Sequence, residues 1–302
     1  MLHVLDLKFQ ETPGLIAAFL VETKAGPVLI ESGPASTLPN LEAALDEHGY
    51  AMADITDIFL THIHLDHAGG AWHFAHNFNT RIHVHPRGAK HLTDPTRLLE
   101  SAQRLYGERM LSLWGEVEPI PADNIVTHRH EEKTRIGRIW FKSFHTLGHA
   151  NHHISWRAGT DMIAGDIAGM KLGDNLATVC TPPPDIEFDD WLRSIRLIKD
   201  VRPHRLFMTH FGEVEKQRDH LIEIEGRLRN FASFTENHLE IGTPPEEIVE
   251  LFVEFYERQL RATDMSEEMV EQYMQLGAPR LSARGMLHYW KKQKAREEEF
   301  AY

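Results

Sequence analysis

Thr61-His62-Ile63-His64-Leu65-Asp66-His67-Ala68-Gly69-Gly70 places four metal-capable side chains, His62, His64, Asp66 and His67, within six residues. The apolar run from Ile55 to Thr61 reads as a strand that opens directly into them. On a strand, alternate side chains share a face, so His62 and His64 can converge on one ion. Where the chain turns into a helix at Asp66-His67, those side chains swing toward a neighbouring position, and Gly69-Gly70 permits a sharp turn. Three protein ligands with one open position is the arrangement of a catalytic zinc, and two ions side by side can clamp the attacking and leaving oxygens of a hydrolysis. An isolated His-x-His pair reads as surface histidine. The full string, opening from an apolar strand, reads as a ligand set.

Upstream, Leu2 to Phe9 alternate, Leu15 to Val21 form a buried apolar run and Val28-Leu29-Ile30 a shorter one, all expected as strands. Thr37 to His48 has helical spacing at Leu38, Leu41, Ala44 and Leu45. Downstream, Ala68 to Phe78 can start a helix, Arg81 to His85 reads as a strand and Thr96 to Trp114 as one longer helix. A second round follows, with strands at Arg138 to Phe144, His153 to Arg157, Met162 to Ala164 and Leu206 to Met208, and a helix from Asp190 to Val201. β-rich stretches closed by helices, given twice, suggest two layers of sheet covered by helices. After His210 only helical periodicity remains, at Leu221, Ile224, Leu228 and Phe231, then at Ile248, Leu251, Phe252 and Phe255. Thr243 is the expected N-cap of the latter helix. Residues 1–214 are therefore expected as a catalytic α/β domain and residues 215–302 as a helical extension.

Bulk properties narrow the function. The net charge of -13 disfavours nucleic-acid binding, and the one tight basic cluster, Lys291, Lys292 and Lys294, precedes three glutamates and reads as a solvated helix end. Cys180 is the only cysteine, so no intrachain disulfide can form, which fits a reducing compartment. No signal peptide or membrane span is evident, and the expected location is the cytoplasm. The 21 histidines stand out. Those outside the motif, His73, His76, His83, His85, His128 and His130, are expected to be structural or solvated, and His152 exposed or at a cleft rim.

With the string of residues 62–67 in hand, the sequence resembles the metallo-β-lactamase superfamily over roughly residues 1–215. The family's later ligands have counterparts in order: His149 in Gly148-His149-Ala150-Asn151-His152-His153, Asp166 after the apolar Ile163-Ala164, and His210 in Met208-Thr209-His210-Phe211-Gly212. The resemblance implies a four-layered αβ/βα sandwich. It also implies one metal on His62, His64 and His149, a second on Asp66, His67 and His210, and Asp166 bridging both, with zinc the first choice and iron or manganese as alternatives. His153 matches a supporting histidine. One departure is Glu31-Ser32-Gly33, where the family commonly has Asp-x-Gly; it touches a hydrogen bond behind the ligands and not the ligands themselves.

The implied activity is hydrolysis of an ester-type bond (thioester, lactone or phosphoester) in a small-molecule substrate, by a metal-bridging hydroxide with Asp66 and Asp166 as catalytic residues. No general acid accompanies the motifs, which favours good leaving groups over amides. Asp166 argues against true β-lactamases, Gly169 lacks the tyrosine of standard lactonases, His64 excludes flavodiiron proteins, and glutathione-binding residues of glyoxalase II enzymes find no match. A mononuclear iron persulfide dioxygenase is the alternative, and a non-catalytic binding module a weaker one. Apolar residues of the helical tail offer a homodimer surface or a cap for the substrate pocket.

Overall fold

The structure, a computed structural model, describes residues 1–300. Strands β1 (Leu2–Asp6), β2 (Ala17–Thr23) and β3 (Gly26–Ile30) form an antiparallel meander. Helix α1 (Leu38–Glu47) then returns the chain to β4 (Asp57–Phe59), which lies parallel to β3. Helices α2 (Leu65–Ala68) and α3 (Ala71–Phe78) precede β5 (Arg81–Val84). Helices α4 (Pro86–Thr93), α5 (Thr96–Tyr106) and α6 (Met110–Trp114) precede β6 (Ile125–Thr127). These last two strands extend the sheet in parallel, giving the order β1-β2-β3-β4-β5-β6.

The second sheet begins with β7 (Lys133–Ile136), β8 (Ile139–His145), β9 (Ile154–Ala158) and β10 (Asp161–Ile163), each antiparallel to the one before. Helix α7 (Phe188–Val201) precedes β11 (Leu206–Met208), parallel to β10, and β12 (Gly212–Glu213) closes the order β12-β11-β10-β9-β8-β7. Four helices follow: α8 (Gln217–Glu240), α9 (Pro245–Arg261), α10 (Glu267–Leu276) and α11 (Pro279–Phe300). No helix among the described residues is long and apolar enough to cross a membrane.

Two compact units share the chain in alternation. One takes residues 1–145, 152–165 and 202–215; the other takes 146–151, 166–201 and the helices from 216 onward. In the first, the two sheets face each other across one core, in which Phe19, Val28, Ile30 and Phe59 meet Phe141, Trp156, Ile163 and Phe207. Phe59 stacks on Phe141 with centroids 4.4 Å apart and meets Trp156 edge-on at 4.9 Å. This is the mixed α/β architecture that the resemblance implies.

In the second unit α8 and α9 pack through the apolar stripe read from their periodicity. Phe231 meets Phe252 at 4.9 Å, and Phe234 stacks on Phe255 at 4.4 Å. These aromatics are thus committed to helix packing. The Tyr273 hydroxyl ties α10 to residues ahead of α7, donating to the Leu176 carbonyl at 2.6 Å and accepting from the Leu172 amide at 2.9 Å.

Two local expectations change. The helix expected over Thr96 to Trp114 is broken at Gly107, whose φ of +55° suits glycine, so α5 and α6 are separate. Thr243 does not cap α9; Pro244 precedes it and Pro245 supplies the first turn. Helix α4 starts at Pro86, where His85 Nδ1 accepts from the Arg87 amide at 3.0 Å.

Candidate metal centre

Strands β3 and β4 run parallel and stop side by side, Ile30 opposite Phe59, so Glu31 and Thr61 emerge at the same edge. The carboxyl ends of parallel strands are where α/β folds gather reactive side chains. Strand β11 adds Thr209 and His210, held there by the Ala17 amide on the Thr209 carbonyl at 2.9 Å.

His62 and His64 lie beyond the strand on which they were expected, since β4 ends at Phe59. Their convergence comes from a pinned loop. The Ile154 amide donates to the Thr61 carbonyl at 2.7 Å and the Thr61 amide to Glu31 Oε2 at 3.1 Å. His62 Nε2 and His64 Nδ1 end 2.9 Å apart. Gly69 and Gly70 are not in a left-handed turn either, with φ of -59° and -88°. They are small because another segment passes close: a Cβ on Gly69 would sit 3.1 Å from Pro34 Cα, and one on Gly70 3.2 Å from the Ser32 carbonyl.

Helix α2 presents Asp66 and His67. Asp66 Oδ2 lies 3.5 Å from His67 Nε2 and 3.5 Å from His210 Nε2, three ligand atoms close enough to share an ion. Enclosure raises the Asp66 carboxyl, but the charges and hydrogen bonds of His67 and His210 outweigh it and hold the group well below the carboxylate range. Each imidazole is backed at its other nitrogen: His67 Nδ1 donates to Glu31 Oε1 at 2.9 Å and His210 Nδ1 to the Leu15 carbonyl at 2.9 Å. Such partners orient each ring and would leave Nε2 as the lone-pair nitrogen toward a bound ion.

In the second unit, His149 and Asp166 are neighbours. His149 Nδ1 donates to the Cys180 carbonyl at 3.2 Å, and its Nε2 lies 3.4 Å from Asp166 Oδ2. Gly148 positions this histidine with a φ of +130°. Imidazole nitrogens interleaved with carboxylate oxygens, each imidazole held from behind, are a donor set that fits a divalent ion of the zinc type.

Glu31 restores the hydrogen bond that the Asp-x-Gly departure put in question. Its longer side chain, on a backbone with φ of +68°, reaches His67 and also accepts from Thr61. Sequence position could not reveal this, because the two residues are 36 apart and meet only through the β3–β4 pairing. His152, expected exposed or at a cleft rim, is not exposed: it is buried, its ring 5.8 Å from that of His64. His153 is buried 5.1 Å from the His62 ring. His83 and His128 are structural and fully inside, joined to each other at 2.8 Å and through His83 to Asp57 at 2.8 Å.

Comparisons with known proteins bear on the family and the fold. The family model of the metallo-beta-lactamase superfamily matches residues 12–210. A curated relative, the metallo-beta-lactamase fold-containing protein ST1585 of Sulfurisphaera tokodaii, is 24% identical over 270 residues, covering 88% of this chain and 98% of its own. The crystal structure of ST1585, an archaeal superfamily protein from Sulfolobus tokodaii, superposes with a TM-score of 0.65 at 19% identity over 94% of this chain and 97% of that one. TTHA1429, a metallo-beta-lactamase family protein from Thermus thermophilus, gives a TM-score of 0.69 at 19% identity over 97% and 94%. MEM-A1, a subclass B3 metallo-beta-lactamase from a soil metagenome library, gives 0.57 at 17% identity over 76% and 91%.

Proposed function

The chain belongs to the metallo-β-lactamase superfamily, and on that premise we propose that it is a binuclear metal-dependent hydrolase of ester-type bonds: thioester, lactone or phosphoester. The observation that carries the reading is the convergence of Asp66 Oδ2 with His67 Nε2 and His210 Nε2, each imidazole backed by an acceptor. In this reading His62, His64 and His149 would hold one ion, Asp66, His67 and His210 would hold the second, and Asp166 would be a ligand to both. Two such ions, zinc by preference for this nitrogen-rich donor set, would acidify a water to near neutral pH and polarise the scissile oxygen when bound.

The chain's own groups then do the following. Asp66 commits one oxygen to the cluster with His67 and His210 and has a second to accept the proton of the attacking water. Asp166, beside His149, would offer a carboxylate to the ions. The hydrogen bonds behind His67, His149 and His210 hold the rings in place, so no ligand has to reorient during turnover. With no dedicated acid to protonate a departing amine, activated esters are the favoured substrates.

The test is elemental analysis of protein purified without added metal, followed by a screen of thioesters, lactones and phosphodiesters with Asp166→Ala as the inactive control. About two ions per chain and hydrolysis abolished in the variant support the proposal. One iron per chain with oxygen uptake on persulfides replaces it with the dioxygenase.

A further inference from the structure

We propose that Ser282 and Gly285 of α11 are positioning residues for His149, acting through the peptide group that joins Cys180 to Thr181. The inference rests on the binuclear reading above for the role of His149. The oxygen end of that peptide, the Cys180 carbonyl, accepts from His149 Nδ1 at 3.2 Å. Its nitrogen end, the Thr181 amide, donates to the Ser282 hydroxyl at 3.1 Å. A trans peptide is planar, with N–H and C=O on opposite sides, so one rigid plate lies between α11 and the imidazole. Turning or shifting that plate at Ser282 moves the acceptor behind His149 with it.

The grip on this peptide is buried and leaves no slack. Thr181 and Ser282 are both fully enclosed. The Thr181 hydroxyl donates to the Ser282 carbonyl at 2.9 Å, and the Ser282 hydroxyl donates in turn to the Gly277 carbonyl at 2.9 Å. Gly285 lets the two backbones meet. A Cβ on it would lie 1.8 Å from the Thr181 carbonyl oxygen and 2.9 Å from the carbonyl carbon. Glycine inside a helix is a cost, and close approach of another backbone is its use here.

The same helix reaches the chain ahead of His149. Lys292 and Arg296 both hold the Glu187 carboxylate, Arg296 at 3.1 and 3.2 Å, and the Glu187 amide donates to the Gly148 carbonyl at 2.9 Å. From α11, then, one tie runs to the residue before His149 and another to the acceptor behind its ring. All of these residues fall in one compact unit, so the helical extension and this ligand loop are built together.

The test is titration of the metal-free full-length chain with zinc alone, against a chromophoric chelator that resolves the dissociation constants, with urea unfolding of each variant alongside. His149→Ala identifies the constant that depends on His149. Gly285→Ala and Ser282→Ala are each expected to weaken that constant by about 10–100-fold, the usual effect of disturbing a partner behind a ligand, and to leave the other unchanged. Gly226→Ala, in α8 with nothing within 4 Å of the added carbon, controls for helix propensity and should move neither. A merely structural role would lower the urea midpoint and leave both constants in place; that result, or equal weakening of the two, overturns the proposal. Should the α11 variants not fold, Thr181→Val against Thr181→Ser decides, the first expected to weaken the His149 constant and the second to keep it. Two ions bound without ester hydrolysis would refute the hydrolase and leave these comparisons valid. A wild type that binds one ion would refute the binuclear reading, and the variants are then compared on that one constant if His149→Ala abolishes it. Zinc binding indifferent to His149→Ala overturns the positioning role outright.

Discussion

Trp156 Nε1 donates to the Leu60 carbonyl at 2.8 Å, so a strand of the second sheet holds the residue from which the ligand loop of the first departs. Both residues are fully buried, and Trp156 also meets Phe59 at the centre of the core. Trp156→Phe keeps an aromatic ring but removes the donor, leaving a buried carbonyl unsatisfied and a gap where the indole was. The expected loss is about 2–4 kcal/mol, summing a lost acceptor and a partial cavity. Urea unfolding measures it. A loss under about 0.5 kcal/mol, the level of a neutral surface change, would show that water or a neighbour satisfies Leu60 instead.

The buried chain Asp57–His83–His128 makes the fold sensitive to acid independently of the metal ligands. Burial, and then the charge of His83, press His128 down to about 4, and burial presses His83 down as well. Burial alone would raise Asp57, but hydrogen bonds from His83, Arg81 and Thr56 hold it at about 2. An unfolded histidine titrates near 6.5, so between about pH 6.5 and about 4 the unfolded chain binds more protons than the folded one. Stability from this group is therefore full above about pH 6.5 and falls as pH falls; Asp57 adds a further loss from about 3.8 down to about 2. Urea midpoints of the wild type should drop between about pH 7.5 and about pH 5, and those of His128→Phe should drop less. Equal slopes in the two proteins would remove His128 as the cause.

How much of this was readable in advance follows from the separation of the interacting residues. His62, His64, Asp66 and His67 are contiguous, so their spacing carried the metal reading even though the geometry expected for His62 and His64, strand alternation, was not the one that brings them together. His149, Asp166 and His210 were found through the family pattern; periodicity alone would not have singled out Asp166, or the two histidines among 21. Partners distant in the chain left no trace. Nothing local links Glu31 to Thr61, Asp57 to His83 or Trp156 to Leu60, because each pair is created by strand pairing or sheet packing. The apolar stripes of α8 and α9 were legible because a helix brings residues three and four apart onto one face, whereas the break at Gly107 depends on a single positive φ.

Metal removal should cost stability in proportion to site occupancy. An ion held at a hundredfold excess over its Kd contributes about 2.7 kcal/mol to the folded state. A chelator should therefore lower the thermal midpoint of the wild type by several degrees, and the drop should reverse on adding zinc. His210→Ala removes one ring from the cluster with Asp66 and His67, and its midpoint should respond much less to chelator. Calorimetric scans with and without chelator make the comparison. A wild-type midpoint indifferent to chelator would count against resident metal at these side chains.

Gly148 is where one added carbon should do most damage. Its φ is +130°, and a Cβ built on it would lie 2.3 Å from both the amide nitrogen and the Cα of Trp191. Trp191 cannot yield, because it is fully buried, its indole donates to the Ile167 carbonyl at 3.1 Å, and the start of α7 is tied back by the Glu187 amide on the Gly148 carbonyl at 2.9 Å. Gly148→Ala therefore combines a forbidden backbone angle with a clash against fixed backbone, an expected loss of about 3 kcal/mol or more. Gly159→Ala is the matched control: its φ of +62° is also positive, but nothing lies within 4 Å of the new carbon, so only about 1 kcal/mol is expected. Because His149 follows immediately, the Gly148→Ala protein that does fold should also retain less zinc per chain than Gly159→Ala. Equal zinc in the two variants, measured on the folded fraction, would mean that the loop carrying His149 finds its place without the support of α7.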